Sequence, residues 1–170
     1  MLFRSPEINS PTDEFFPFVA ADGALFFASD GLPGYGGLDM FRAAKQGSGF
    51  GTPKNLGVGL NTNADDFGFI TNKENNFGYI SSNRGAEYFD DDIYSWERVL
   101  RGIVYKAGTA YDTVENAMVY LWKDGEVVDS TKSVPTFGYA FRVENETDYM
   151  VSATKEGLYP SPKLPVATGE

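Results

Sequence analysis

The sequence contains no cysteine and no histidine. This excludes disulfides, zinc sites made of thiolates or imidazoles, and Ser-His-Asp or Cys-His catalysis within the chain. Any chemistry would depend on carboxylates, lysine, tyrosine or a hard cation such as Ca²⁺.

Basic residues are also few, with 14 Lys and Arg against 24 Asp and Glu, for a net charge of −10. Nucleic acids and anionic membranes bind clustered basic side chains, so we expect neither as a partner. No apolar run approaches the roughly 20 residues of a membrane span. The first residues, MLFRSPEINSP, lack the basic and apolar regions of a signal peptide. We therefore expect no direct membrane insertion, and any export signal would lie outside this chain.

An internal repeat organises the first part of the chain. Residues 8–41 align with residues 60–94 at an offset of 52, which becomes 53 after one inserted residue. Each copy predicts short strands joined by turns, with Asp22-Gly23 as a hairpin signal in the first copy. The recurring residues include Asn9 and Asn61, Asp13 and Asp65, Glu14 and Asp66, Phe15 and Phe67, Phe26 and Tyr79, Asp39 and Asp92, and Phe41 and Tyr94.

Three-stranded or four-stranded units of this length are typical of β-propeller blades. We expect the aromatic pairs Phe15/Phe67, Phe26/Tyr79 and Phe41/Tyr94 to pack between adjacent blades. Two blades do not close a propeller, so the sequence predicts a fragment, or an assembly that supplies further blades. Edge pairing or homo-oligomer formation would cover the exposed strands.

The character of the sequence changes near Arg98, since 12 of the 14 phenylalanines precede it. Residues 98–170 predict further strands, including a hairpin over residues 117–133 with Asp124-Gly125 at its tip. This part shows no repeat and predicts a small β-sandwich. We therefore expect an all-β protein with domains at 1–97 and 98–170.

Two family resemblances follow from these residues. The pattern Asn-x-x-x-Asp-acid-Phe, followed by FFASDG or SSNR and then by Gly-Gly-Leu-Asp-Met-Phe or DDDIYSW, resembles TolB-like, WD-type propeller repeats of Bacteroidetes OmpA-family proteins. The segments LRGIVYKAGT, ENAMVYLWKDGEVVDST, GYAFRV and DYMVSATKEGLYPS resemble a carboxypeptidase-regulatory-like, transthyretin-type sandwich. The run SVPTFGYAFRV departs from that pattern, and the usual final strand is missing or cut short.

The resemblance implies a non-enzymatic scaffold or interaction module in the periplasm or at the outer membrane. It implies protein partners at the cell envelope and a peptidoglycan link through a domain absent from this chain. The alternative is a glycan-binding or peptide-binding module. A propeller-associated hydrolase is the least favoured function, because the sequence has no Gly-x-Ser-x-Gly pattern.

The acidic run Asp90, Asp91 and Asp92 is a candidate Ca²⁺ site, since Ca²⁺ prefers oxygen ligands. Only Asp92 matches an aspartate, Asp39, in the first repeat, and successive strand residues face opposite sides. A turn-closing role for Asp39 and Asp92 is therefore favoured, and no cofactor is expected otherwise.

The neighbouring carboxylates Asp13/Glu14 and Asp65/Asp66 have the residue types of a glycosidase acid/base pair. Their recurrence favours a structural role, because a catalytic pair should occur once. The turns at 29–31 and 82–84 are expected to form capping bonds, with Arg84 pairing with a carboxylate; a polar rim that grips a peptide or glycan is the alternative.

Aromatic residues form a second candidate binding feature, in the later part of the chain. Trp122, Tyr120 and Tyr139 would suit a carbohydrate-stacking platform, although packing between strands is the favoured interpretation.

Overall fold

The computed structural model describes residues 5–85, 90–109 and 111–168. Within these residues the chain is all-β, and no helix suited to crossing a membrane occurs among them. The chain divides into two compact units, Met1–Glu97 and Arg98–Glu170. This division falls where the composition of the sequence changes.

The first unit contains one sheet from each repeat. The sheet of the first repeat has the order β1-β2-β3-β6, and the sheet of the second has the order β7-β8-β9. A short hairpin, β4–β5, follows β3. The strands are β1 (Glu14–Val19), β2 (Leu25–Ser29), β3 (Asp39–Ala43), β4 (Lys45–Gln46), β5 (Gly49–Phe50), β6 (Lys54–Asn55), β7 (Asp66–Thr71), β8 (Phe77–Ser82) and β9 (Asp92–Glu97).

The predicted hairpin at Asp22-Gly23 is confirmed. Gly23 has a φ of 83°, and the Asp22 carboxylate accepts a hydrogen bond from the Ala24 N–H at 2.9 Å. Strands β1 and β2 pair in an antiparallel manner on either side of this turn.

Both repeats contain the same irregularity in their first strand. The register shifts between Phe15 and Phe18 in one repeat and between Phe67 and Ile70 in the other. The residue after the first of each pair has a positive φ, 52° at Phe16 and 62° at the equivalent Gly68. A bulge of this kind turns the strand and increases its twist. The sequence repeat is thus also a repeat of backbone geometry.

The two sheets of the first unit share one apolar core. The ring of Phe69, on β7, stacks on Phe26 from the first repeat at a centroid distance of 4.8 Å and on Trp96 at 5.0 Å. The other buried members are small or aliphatic: Ala20, Ala24, Ala28, Met40 and Ile80. A face of each sheet is therefore buried against the other sheet.

The aromatic pairs expected between the repeats are only partly found there. Phe26 is buried in the shared core, and Phe67 and Tyr94 pack against it. Phe41 lies in a separate cluster with Ile8, Phe27 and Ala43. Phe15 and Tyr79 are 41% and 44% exposed. The prediction that both members of each pair pack between the repeats was wrong. Equivalent residues point in the same direction in each repeat, so one member of a pair faces the other repeat and the second member faces away from it.

The second unit contains a four-stranded sheet, β12-β11-β14-β15, and a two-stranded sheet, β10-β13. One core joins them, with Val119, Leu121 and Val151 from the larger sheet and Phe141 from the smaller. The expected hairpin is confirmed by the pairing of β11 with β12. The final strand, expected to be missing or cut short, is present as four residues beside β14. The strands are β10 (Val99–Gly102), β11 (Met118–Lys123), β12 (Glu126–Lys132), β13 (Tyr139–Arg142), β14 (Asp148–Thr154) and β15 (Leu164–Ala167).

The stacking of Phe69 gives a test of the shared core. Phe69→Ala should lower the free energy of unfolding of the first unit by about 3 kcal/mol, because it leaves a cavity between two rings. Ile70→Ala is a matched control, since Ile70 is 48% exposed on the same strand. Urea denaturation followed by circular dichroism measures both changes. Equal losses in the two variants would contradict the assignment of Phe69 to the core.

Candidate interaction surface

Asn61 connects the second repeat to a strand of the first. Its side-chain oxygen accepts a hydrogen bond from the Met40 N–H at 2.8 Å, and its Nδ2 donates to the Met40 carbonyl at 2.9 Å. The same Nδ2 also donates to Asn55 Oδ1 at 2.8 Å. Asn61 and Met40 are both fully buried. The amide of Asn61 thereby bonds both backbone groups of Met40 just beyond the short β3–β6 pairing, and the Leu56 N–H donates to the same Met40 carbonyl at 3.0 Å.

A second set of bonds lies four residues later. Asp65 Oδ1 accepts a hydrogen bond from the Leu38 N–H at 2.9 Å, and the Asp66 N–H donates to the Leu38 carbonyl at 2.7 Å. The loop from Asn61 to Asp66 therefore docks on the start of β3 through backbone groups at two positions. We call this segment the docking loop; its equivalent in the first repeat runs from Asn9 to Glu14.

The acidic residue that ends each docking loop ties that loop to its own sheet. Asp66 is fully buried and accepts hydrogen bonds from Ser82 Oγ at 2.5 Å and from the Thr62 N–H at 2.6 Å. Arg84 forms an ion pair with Asp66 at 2.5 Å, so the predicted partner of Arg84 is a carboxylate. Arg84 also donates to the carbonyl of Leu60.

The first repeat uses the same arrangement at an offset of 52 or 53 residues. Glu14 Oε1 accepts a hydrogen bond from the Ser10 N–H at 2.8 Å and from Ser29 Oγ at 3.2 Å. Gly31 occupies the position of Arg84, so the first repeat has no equivalent of the Arg84–Asp66 ion pair. The Asp65 carboxylate accepts hydrogen bonds from Leu38 of the first repeat and, at 3.1 Å, from Asn83 Nδ2 of its own repeat, whereas the Asp66 carboxylate is bonded within its own repeat.

The turns after β2 and β8 form the expected capping bonds. Ser29 Oγ accepts from the Gly31 N–H, and Ser82 Oγ accepts from the Arg84 N–H, both at 3.1 Å. Asn83 Oδ1 accepts from the Asp65 N–H at 2.8 Å, as Asp30 Oδ1 does from the Asp13 N–H at 3.1 Å. Hydrogen bonds from the Thr12 side chain and then from the Asp13 N–H lower the pKa of Asp30.

Asp39 of the first repeat and the acidic run of the second repeat, which contains its equivalent Asp92, lie in different environments. Asp39 is buried, and its Oδ2 accepts from the backbone N–H groups of Tyr35 at 2.8 Å and Gly36 at 3.1 Å, which is a turn-closing role. The candidate Ca²⁺ ligands Asp90, Asp91 and Asp92 are all exposed. Within the residues that the structure describes, no three acidic side chains form a group able to hold a metal ion. Calcium binding by this run stays a prediction.

One face of the second repeat is uncovered, although its counterpart in the first repeat is buried. Met40 is fully buried and Phe26 is 4% exposed, whereas the equivalent Ile93 and Tyr79 are 76% and 44% exposed. In the described part of the chain, β9 pairs with β8 and has no strand on its other side. We call this surface the open face; it comprises Tyr79 and Ser81 on β8 and Ile93 and Ser95 on β9.

The aromatic candidates of the second unit are mostly engaged within it. Trp122 Nε1 donates to Ser152 Oγ at 2.8 Å, and the Lys163 ammonium lies 3.3 Å from the Trp122 ring centroid. Tyr139 packs on Phe141 at a centroid distance of 5.7 Å, and burial raises its pKa. Tyr120, half-buried on β11, alternates with the buried Val119 and Leu121. The lysine over Trp122 occupies a ring face that a stacked sugar would need.

A separate cavity of about 340 Å³ lies within the second unit. Its apolar lining includes Ala117, Ala153, Leu158 and Tyr159. Two lysines, Lys106 and Lys155, also line it. Neither the sequence repeat nor the turn signals point to this cavity, because its walls come from segments that are distant along the chain.

Sequence reasoning found the docking-loop residues but missed their bonding partners. The hydroxyl residues Ser10 and Thr62 recur at the same offset as the acidic residues. The alignment of the repeats could therefore have identified them as bonding partners. The exposure of Tyr79 and Ile93 could not be predicted from their residue types, because each resembles its buried counterpart in size and polarity.

The Asn61 bonds give a test of the docking loop. Asn61→Ala should lower the free energy of unfolding by about 2 kcal/mol, because the buried Met40 N–H loses its partner and the Met40 carbonyl loses one of its two donors, keeping the Leu56 N–H. Asn9→Ala is the matched control, since Asn9 donates only to the Ser5 carbonyl among the bonds found for it. Chemical denaturation of both variants measures the difference. Losses of the same size would show that Asn61 does not hold the repeats together.

The chain was compared with protein-family models, with curated proteins and with solved structures, and it matches none of them. The resemblances to TolB-like repeats and to carboxypeptidase-regulatory-like domains therefore rest on the residues themselves.

Proposed function

We propose that the protein is a non-enzymatic interaction module of the cell envelope, in which stacked β-repeats present a surface to a protein partner. The finer fold that we propose is two propeller-type blades followed by a transthyretin-like sandwich. In this proposal the second unit is a companion domain, and the partner binds the open face of the second repeat.

The packing of the two repeats supports the propeller proposal. Strand β7, the first strand of the second repeat, lies against β1, β2 and β3 of the first. Sheets stacked in sequence with an apolar layer between them are the arrangement of adjacent blades. In the second unit, two sheets joined by one core support the sandwich proposal.

The observation that carries the function is the contrast between equivalent faces of the two repeats. The first repeat buries Phe26 and Met40 under the second, while the second repeat leaves Tyr79 and Ile93 exposed. A surface built on the same pattern as an existing interface, with exposed Tyr79 and Ile93 between serines, is suited to binding another protein.

The carboxylates support a structural role over an enzymatic one. Asp66 and Glu14 each accept bonds from a loop N–H and a serine hydroxyl of their own repeat. Asp65 accepts a bond from the Leu38 N–H. Groups held by several donors in both repeats are poorly placed to exchange protons with a substrate.

The placement at the cell envelope rests on the family resemblance. It carries the expectation of a periplasmic or outer-membrane location, with peptidoglycan contact through a domain outside this chain. The excess of acidic residues fits a partner that is neither a nucleic acid nor an anionic membrane.

A photo-crosslinking experiment tests the proposed function. A photoreactive amino acid placed at position 93 in native cells should give protein adducts, because Ile93 is the most exposed large apolar residue of the open face. The matched control is position 58, since Val58 is 80% exposed and lies in the same unit. Mass spectrometry of the adducts identifies the partner. No adducts at position 93, or equal adducts at both positions, would contradict the proposal.

A second candidate function, peptide binding, is favoured by the cavity of the second unit. The apolar lining would accept a side chain, and Lys106 and Lys155 would attract a carboxylate. The Lys163 ammonium lies over the Trp122 ring face on which a sugar would stack, so a peptide is favoured over a glycan as the ligand of this unit.

The cavity gives its own prediction. A panel of short apolar peptides with a free C-terminal carboxylate should shift the NMR signals of residues lining the cavity, and Leu158→Asp should abolish the shifts. Val127→Asp is the control, because Val127 and Leu158 are 46% and 43% exposed. Absence of shifts in the wild-type protein would remove this candidate.

A further inference from the structure

The interface between the two repeats of one chain shows what an interface between two copies of the chain would require. Within one chain, the docking loop of the second repeat binds the edge of β3 in the first repeat. The first repeat has a docking loop of its own, and the second repeat has its own strand edge, β9. Among the described residues, no strand pairs with the outer side of β9, and Pro11, Thr12 and Asp13 of the first docking loop are exposed.

The strand edge of the second repeat has the same backbone orientation as the one already occupied. Met40 pairs with Ala28 across β2 and β3, and Ile93 pairs with Ser81 across β8 and β9 at the equivalent positions. The N–H and C=O of Met40 point away from β2, toward Asn61. Because the registers match, those of Ile93 point away from β8 and present the same pair of groups.

The docking loop of the first repeat is the matching half. Asp13 is exposed and Asn9 is half-buried, whereas the equivalent Asp65 is half-buried and Asn61 is fully buried. Phe15 is 41% exposed, while the equivalent Phe67 packs against the shared core. These differences are those expected of one loop that has docked and one that has not.

We propose that the docking loop of one copy, Asn9 to Glu14, binds the β9 edge and open face of a second copy. This proposal rests on the proposed function and names the partner of the open face. Asn9 would take both backbone groups of Ile93, Asp13 would accept from the Asp91 N–H, and Phe15 would cover apolar surface on the open face. The contact is head-to-tail, so copies add in sequence until they close a ring or stop.

One substitution sets the strength of this contact. Leu38 packs against the shared core, but its equivalent in the second repeat is Asp91. Docking a second copy would desolvate the Asp91 carboxylate and bring Asp13 close to it, and like charges at short range oppose binding. The self-association is therefore weak in the wild-type protein, and it strengthens when salt screens the two carboxylates.

The test is sedimentation velocity on the purified full chain up to about 1 mM, a concentration at which contacts with a Kd of about 1 mM are half populated. The wild-type average mass should rise above the monomer value of 18.7 kDa with protein concentration and with salt. Asp91→Leu, which restores the residue of the first repeat, should tighten association by about tenfold. A wild-type protein that stays monomeric, together with an unchanged Asp91→Leu variant, would overturn the proposal.

Two variants make the test specific, because each removes one of the two surfaces of the proposed contact. Ile93→Asp blocks the open face and Phe15→Asp blocks the docking-loop half, so each should be monomeric alone. An equal mixture should form dimers, because each variant keeps the half that the other has lost. Val58→Asp is the control and should associate as the wild type does. Circular dichroism melting shows whether the variants fold, and the exposure of all three positions predicts that they do.

The outcomes separate this inference from the proposed function. If the mixture fails to dimerise while position 93 still crosslinks to a different protein in cells, self-association is wrong and the interaction module stands. If the mixture dimerises and the position-93 adducts contain only this chain, the open face serves assembly of the chain itself. Equal weakening by Ile93→Asp and Val58→Asp would overturn the head-to-tail contact.

Discussion

The first unit depends on the way Asn61 completes the edge of strand β3. The backbone groups of Met40 are buried, and a buried N–H or C=O without a partner costs about 1–3 kcal/mol. The Asn61 amide accepts from the Met40 N–H and donates to the Met40 carbonyl, which also accepts from the Leu56 N–H. This bond fixes the second repeat at a defined position on the first, so Phe69 can stack between Phe26 and Trp96.

The acidic residues serve this same construction. Asp65 reaches the first repeat, and Asp66 holds the loop that presents Asn61 and Asp65. Glu14 repeats the second role with a longer side chain. The net charge of −10 adds repulsion between copies of the protein, while the loop carboxylates accept hydrogen bonds from backbone N–H groups.

Repeat proteins gain stability by adding neighbouring interfaces, so their terminal units need a different outer face. The first repeat has a cover for its far side: Phe27 and Phe41 are buried with Ile8, and Leu32 and Phe50 pack against them. Among the residues that the structure describes, no such cluster covers the open face of the second repeat, and Ile93 is exposed there. The two ends of the repeat pair are thus chemically different, and this difference gives any contact through them a direction.

The sequence by itself determined the all-β class, the 52-residue repeat, the hairpins at Asp22-Gly23 and Asp124-Gly125, and the identity of the docking-loop residues. These features follow from local turn chemistry, alternation and recurrence, which need no knowledge of distant contacts. Only the tertiary structure decided that Met40 is buried while Ile93 is exposed, and that Phe41 and Tyr94 lie in different cores. The physical reason is that burial depends on what lies across a sheet face, and equivalent residues in a repeat share a direction without sharing a neighbour.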